Sequence, residues 1–220
     1  MKSSMNKLDL RKGIGAIALT VLLLTASVFS SQAQSSLQLG IKAGTDYIKL
    51  GGRSFDGKHY PGFSAGVYGK LNFTSKWYLQ PELDYNQTIG KTSDDFTTIY
   101  GGYGEQQVNL NYVSVPILLG FKPIPELSIL LGPQYGFLFA QTQNLLQSNL
   151  SSNEGGTNAF KKSDVSIVFG GQLNLSKVVF GIRYYNNLNN ISFRTTDTWR
   201  QYGFQVYVGY QIKDMKLKKK

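Results

Sequence analysis

The chain has 220 residues, enough for one sizeable domain, and no cysteine, which excludes a disulfide framework, a thiolate metal site, a cysteine nucleophile and a lipid-anchored start. Its net charge of +10 lies mostly at the ends: residues 1–33 carry +3 (Lys2, Lys7, Arg11 and Lys12 against Asp9) and residues 213–220 carry +4 (Lys213, Lys216, Lys218, Lys219 and Lys220 against Asp214), leaving +3 for 34–212. No nucleic-acid partner is therefore expected on the folded part, and the 24 glycines, 14 tyrosines and 13 phenylalanines lean toward a β-barrel.

Residues 1–13 are polar and basic and lead into an apolar run, Ile14 to Ser30. Small residues follow at once, with Ser31 and Ala33 at the −3 and −1 places of a cleavage site. This order predicts a secretory signal peptide over 1–33, cut between Ala33 and Gln34. The apolar run falls short of the roughly 20 residues that a spanning helix needs.

From residue 34 onward the pattern has a period of two, the period of a strand whose side chains alternate between faces. In "LQLGIKAGTDY" Leu37, Leu39, Ile41 and Ala43 oppose Gln38, Lys42 and Asp46. In "GFSAGVYGKLNF" Phe63, Ala65, Val67 and Leu71 oppose Ser64, Tyr68 and Lys70. "WYLQPELDYNQ" sets Trp77, Leu79, Leu83 and Tyr85 against Gln80, Glu82 and Asp84. "NYVSVPILLGF" sets Val113, Val115, Ile117 and Leu119 against Tyr112 and Ser114, and "LSILLGPQYGFLF" sets Ile129, Leu131, Tyr135 and Phe137 against Ser128 and Gln134. "DVSIVFGGQLNL" and "VVFGIRYYN" continue with Val165, Ile167 and Phe169 against Asp164 and Ser166, then Phe180, Ile182 and Tyr184 against Arg183 and Tyr185. The last segment, "QYGFQVYVGYQI", opposes Tyr202, Phe204, Val206 and Val208 to Gln201, Gln205 and Tyr207.

The eight predicted strands are joined alternately by short turns ("TSK", "KPIPE", "SK") and by long polar segments such as "GKTSDDFTTIYGGYGE". That arrangement predicts an all-β fold: an eight-stranded antiparallel up-and-down transmembrane β-barrel, with short periplasmic turns and long extracellular loops. The domain occupies 34–212, and 213–220 form a basic tail on the periplasmic side. A soluble barrel would hide its apolar face. Here the polar face is rich in small residues that suit a narrow interior, so the apolar face is expected to meet lipid, with aromatics near strand ends as interfacial girdles. Pro81, Pro116 and Pro133 lack a ladder donor and are expected at local bulges.

On "NYVSVPILLGFKP", "LGIKAGTDY", "GIRYY" and "QYGFQVYVGYQI", the chain resembles the outer-membrane β-barrel domain family of PorT-like and OmpX/OmpA-like small barrels, often called porin-family proteins. The final strand also resembles a barrel-insertion signal, with Gln201, Gly203, Val206 and Val208 at its key places. The resemblance implies a bacterial outer-membrane location, Sec export, insertion by the barrel-assembly machinery, and contact with outer-membrane lipid and lipopolysaccharide. It implies no catalytic residue and no cofactor, and members usually stop close to the last strand, whereas this chain continues with "KDMKLKKK".

An eight-stranded barrel leaves an interior just wide enough to be filled by side chains. Buried charge needs partners, so Glu82 and Asp84 are expected to be compensated by some of Arg183, Lys42 and Lys70, with Tyr112, Tyr185, Tyr207 and Gln134 completing the hydrogen bonds. A non-enzymatic, monomeric barrel follows, structural or presenting loops to an extracellular protein or glycan, as an accessory to secretion or adhesion. Two alternatives are a lipid A-modifying enzyme using His59, which lies near Ser54 and Asp56, and a narrow porin-like channel. No metal-ligand spacing or phosphate loop accompanies His59.

Overall fold

In the computed structural model, which describes residues 36–93, 106–145, 160–192 and 198–216, period-two patterning becomes eight strands. These are β1 (Ser36–Gly51), β2 (His59–Asn72), β3 (Trp77–Lys91), β4 (Gln106–Ile124), β5 (Leu127–Leu145), β6 (Ser163–Leu175), β7 (Val178–Asn187) and β8 (Arg200–Lys216). Each pairs antiparallel with its neighbour in sequence, and β1 pairs with β8, so the sheet closes into a barrel without free edges. Closure satisfies the backbone of every strand inside hydrocarbon, where no water is present to do so.

Three tight connections, at 73–76, 125–126 and 176–177, lie at the same end as the start of β1 and the end of β8, Ser36 and Lys216, which pair with each other. The longer connections lie at the opposite end, the extracellular side of a barrel of this plan. β4 and β5 run for 19 residues each. At about 3.3 Å per residue and a tilt near 40°, such a strand spans roughly 45–50 Å, well past a hydrocarbon band of about 25 Å.

Burial is inverted relative to a soluble protein. Phe63, Leu83, Phe169 and Ile182 are each more than half exposed on the outer wall, whereas Lys42, Glu82, Asp84 and Arg183 are buried within. An apolar surface continuous around the barrel is incompatible with water and suits acyl chains. Two aromatic rows bound it. Trp77 and Phe121, 4.7 Å apart between ring centres, stand at the periplasmic rim. Toward the outside, Phe63, Tyr85 and Phe139 form a chain of ring contacts, and Tyr184 packs on Phe204.

The prolines differ from expectation. Register is unchanged across Pro81 and Pro116: β3–β4 pairing passes from Pro81↔Ile117 to Asp84↔Ser114, and β4–β5 pairing from Pro116↔Gln134 to Leu119↔Leu131. Pro133 pairs with Ile167 in an unbroken β5–β6 register. A missing N–H interrupts the ladder locally without inserting a residue, so no bulge is required. The register shifts lie at Leu39/Gly40, Asn111/Tyr112 and Phe121/Ile124.

β8 also extends beyond residue 212. Lys213, Asp214, Met215 and Lys216 pair with Leu39, Gln38, Leu37 and Ser36, so this half of the basic tail is barrel wall. Ala33 and Gln34, and Lys218 to Lys220, lie outside the described residues.

Candidate functional site

The lumen is built from the inward-facing side chains of all eight strands. At its centre Glu82 is surrounded by donors. Arg183 gives Nη1 and Nη2 to its two carboxylate oxygens, each at 2.7 Å, and Gln80 Nε2 donates at 2.5 Å. Lys42 Nζ bonds Glu82 as well and donates to Asp84 Oδ2 at 2.8 Å. Two cations thus face two carboxylates, and all four side chains are almost fully buried. Tyr207 braces the group: its hydroxyl accepts from Arg183 Nη2 at 2.9 Å and donates to Gln172 at 2.9 Å, while the Arg183 guanidinium lies 4.4 Å from its ring centre. A buried ion cluster of this kind is tolerated because each charge is both paired and hydrogen-bonded.

The sequence dictates one further condition for this cluster. A Cβ built at Gly181 would sit 2.0 Å from Tyr207 Cζ, so the ring lies flat on the backbone where a side chain is missing. Gly120 receives the ring of Tyr78 in the same way, with a Cβ-to-Cζ distance of 2.1 Å.

Toward the outside, two more carboxylates are held by neutral donors. Asp164 accepts from Ser166 at 2.6 Å, Asn187 at 2.5 Å, Gln201 at 3.2 Å and the Tyr185 hydroxyl. Gln201 also donates to the Tyr112 hydroxyl at 2.8 Å. Asp46 accepts from Asn86 and Gln205, each at 2.9 Å. Gln134 lines a cavity between these groups, together with Asp46, Asp164 and Arg183. Its volume of about 30 Å3 is large enough for a water molecule.

Lys70 does not join Glu82 and Asp84. It points toward the periplasmic end, donates to Asn174 Oδ1 at 2.6 Å and lies over the rings of Tyr68 and Tyr78 at 5.7 and 5.5 Å. Lys122 Nζ reaches Tyr78 as well, at 5.0 Å from the ring centre.

The lumen is not polar throughout. Leu50, Phe55, Val108, Leu110, Leu138, Phe160, Ile191 and Trp199 form a buried apolar plug at the extracellular end. Phe55 meets Trp199 edge-on with 5.0 Å between ring centres, and Phe160 meets it at 4.9 Å. Isolated bridges pin the plug: Phe55 pairs with Thr92, and Phe160 with Ser192. Leu118, Leu130 and Val168 also face inward.

His59 opens β2 opposite Lys49 and is exposed, whereas Ser54 is buried. Asp56 accepts from the Tyr60 hydroxyl at 2.5 Å and from the Lys58 N–H at 3.1 Å. Among the described residues, no three His, Asp or Glu side chains converge as metal ligands. In the last strand, Gln201 and Gly203 point inward, and Val206 and Val208 meet the lipid side.

Residues 30–192 match the model of a family described as outer membrane protein beta-barrel domain. Similar solved structures include Neisserial surface protein A (TM-score 0.48, 14% identity, 80% of this chain and 97% of that one). Others are OprG of Pseudomonas aeruginosa (0.44, 12%, 82% and 96%) and the attachment invasion locus protein Ail of Yersinia pestis in complex with the heparin analogue sucrose octasulfate (0.42, 13%, 81% and 99%). No curated protein matches the sequence.

Proposed function

Because the chain belongs to the outer membrane protein β-barrel domain family, we propose that it is a non-conducting, non-enzymatic scaffold that holds its extracellular connections rigidly for binding a protein or glycan. It acts as a monomer, after export through a cleaved signal peptide and insertion by the barrel-assembly machinery. The observation that carries this reading is the occupied lumen. The Glu82–Arg183–Lys42–Asp84 cluster blocks the middle, and the Phe55–Phe160–Trp199 plug blocks the extracellular end. Side chains buried and bonded to this extent favour rigidity over transport, and binding residues on rigid scaffolds are commonly carried by the connections.

Planar-bilayer recording tests the reading. The wild-type protein is expected to give no steady conductance in 1 M salt. A stable open level would establish a narrow pore in its place. Crosslinking on intact cells, followed by capture of the barrel, would then identify what the connections hold.

A further inference from the structure

The periplasmic end of the lumen holds two cations that the central cluster does not neutralise. Lys70 on β2 is buried, with 3% of its surface exposed, and Lys122 on β4 is half-buried. Their ammoniums share one platform, at 5.5 and 5.0 Å from the centre of the Tyr78 ring. Gly120 backs that ring on the wall side, which leaves its lumen side to the cations. Lys122 also reaches Asn72, the next inward residue after Lys70 along β2, so the two ammoniums are neighbours.

An ammonium has three donors, and the protein engages one on each lysine: Lys70 Nζ donates to Asn174 Oδ1 at 2.6 Å, and Lys122 Nζ to Asn72 Oδ1 at 2.8 Å. Among the described residues neither lysine forms an ion pair. Asp214, the carboxylate paired with Gln38 at this end, accepts from the Gln38 amide. The contrast is with Lys42, which meets two carboxylates deeper in the same lumen. The Tyr68 hydroxyl is also buried without a hydrogen-bond partner, and Lys70 Nζ lies 5.7 Å from its ring centre. Buried charge left in this state is unfavourable unless a counter-charge arrives from outside.

We propose that Lys70 and Lys122 form a binding site for a phosphate group, carried by inorganic phosphate or a small soluble phosphomonoester that enters from the periplasm. Two ammoniums match the charge of a phosphate dianion, and its oxygens accept the two spare donors on each lysine. Asn72, Lys122 and Asn174 are half-buried, so this end of the lumen meets water and gives the anion a way in. The Glu82–Arg183–Lys42–Asp84 cluster closes the way onward, so the anion is held at the mouth and not passed through. The site lies at the opposite end from the extracellular connections. Neither what they hold nor a measured conductance bears on it.

Isothermal titration calorimetry of the folded barrel in a phosphate-free zwitterionic detergent tests it, with inorganic phosphate and glycerol 3-phosphate as ligands. Both are expected to bind at one site, and plain glycerol to give no heat. Lys70→Gln and Lys122→Gln should each weaken binding by about tenfold or more, the loss that goes with one hydrogen bond to a charged group. Lys162→Gln, on an exposed residue before β6 at the other end, should bind as wild type does. Saturating phosphate should also raise the urea midpoint of the wild type and leave that of Lys70→Gln in place. Heat-modifiable gel migration verifies that each variant is folded. No binding by the wild type, undiminished binding in either lysine variant, or binding of phosphatidic acid without the soluble anions would overturn the assignment.

Discussion

Arg183 on β7 and Glu82 on β3 lie 101 residues apart in sequence and meet across the lumen in a two-pronged ion pair, with both nitrogen–oxygen distances at 2.7 Å. β3 and β7 are not neighbours in the sheet, so this contact ties opposite walls of the barrel together. Replacing Arg183 with Leu leaves the buried Glu82 with Lys42 and the neutral Gln80 as its described partners. A loss of about 3–5 kcal/mol in unfolding free energy is expected, the usual cost of stranding one member of a buried pair. Urea unfolding in lipid vesicles measures it. Glu82→Leu added to Arg183→Leu should recover part of the loss, and a single variant as stable as wild type would remove the network's structural role.

Gly181→Ala places a methyl group against the Tyr207 ring and pushes its hydroxyl away from Arg183 and Gln172. Overpacking of this sort costs about 1–3 kcal/mol. Combined with Tyr207→Ala the two losses should not add, because the second change removes what the first collides with. Additive free energies in this double-mutant cycle would contradict the stacked arrangement.

Trp199→Ala empties the middle of the extracellular plug, where both Phe55 and Phe160 pack. Removing a buried tryptophan costs about 3–5 kcal/mol. The loss should loosen the 52–58 connection that Phe55 anchors, and limited proteolysis of intact cells would register faster cleavage there. Cleavage at the wild-type rate would mean that the plug does not hold this connection.

Ser176 has φ of 54°, in the left-handed region, within the two-residue turn between β6 and β7. A side chain pays there for a backbone shape that glycine adopts freely. Ser176→Gly is therefore expected to stabilise the barrel by about 0.5–1 kcal/mol, after allowing for the greater freedom of glycine in the unfolded chain. A drop in the urea midpoint would refute this.

The wall of the barrel was legible in the sequence because its rule is local. A lipid-facing strand must alternate, and Trp77, Leu79, Leu83 and Tyr85 do so against Gln80, Glu82 and Asp84. The partners inside were less so, since they depend on the registers of strands far apart in sequence. Lys70 shares a face with Tyr68, yet its height along β2 takes it to Asn174 on β6 and away from the carboxylates of β3.

Adjacent leucines hid part of the interior. In Leu118-Leu119 and Leu130-Leu131 the alternation carries no polar marker, so the inward-facing Leu118 and Leu130 read like their outward neighbours. Trp199 lies in a connection, where no periodicity signals burial, and Phe55 and Phe160, whose rings meet it, are held outside the strands by isolated bridges to Thr92 and Ser192. Asp46 and Asp164 stand on the polar face of their strands, but their amide and hydroxyl partners come mostly from other strands, beyond the reach of a spacing argument.

The pairing of Ser36 with Lys216 joins residues 180 positions apart, and the whole β1–β8 seam is built from contacts of this kind. Neither strand can complete its ladder until the other is available, so the cylinder shuts only after nearly the entire polypeptide has been delivered. High contact order makes such a step slow and late. Until it happens, both unpaired borders are open to the wrong neighbour, and the four residues past 212 lengthen the zip that finally removes them.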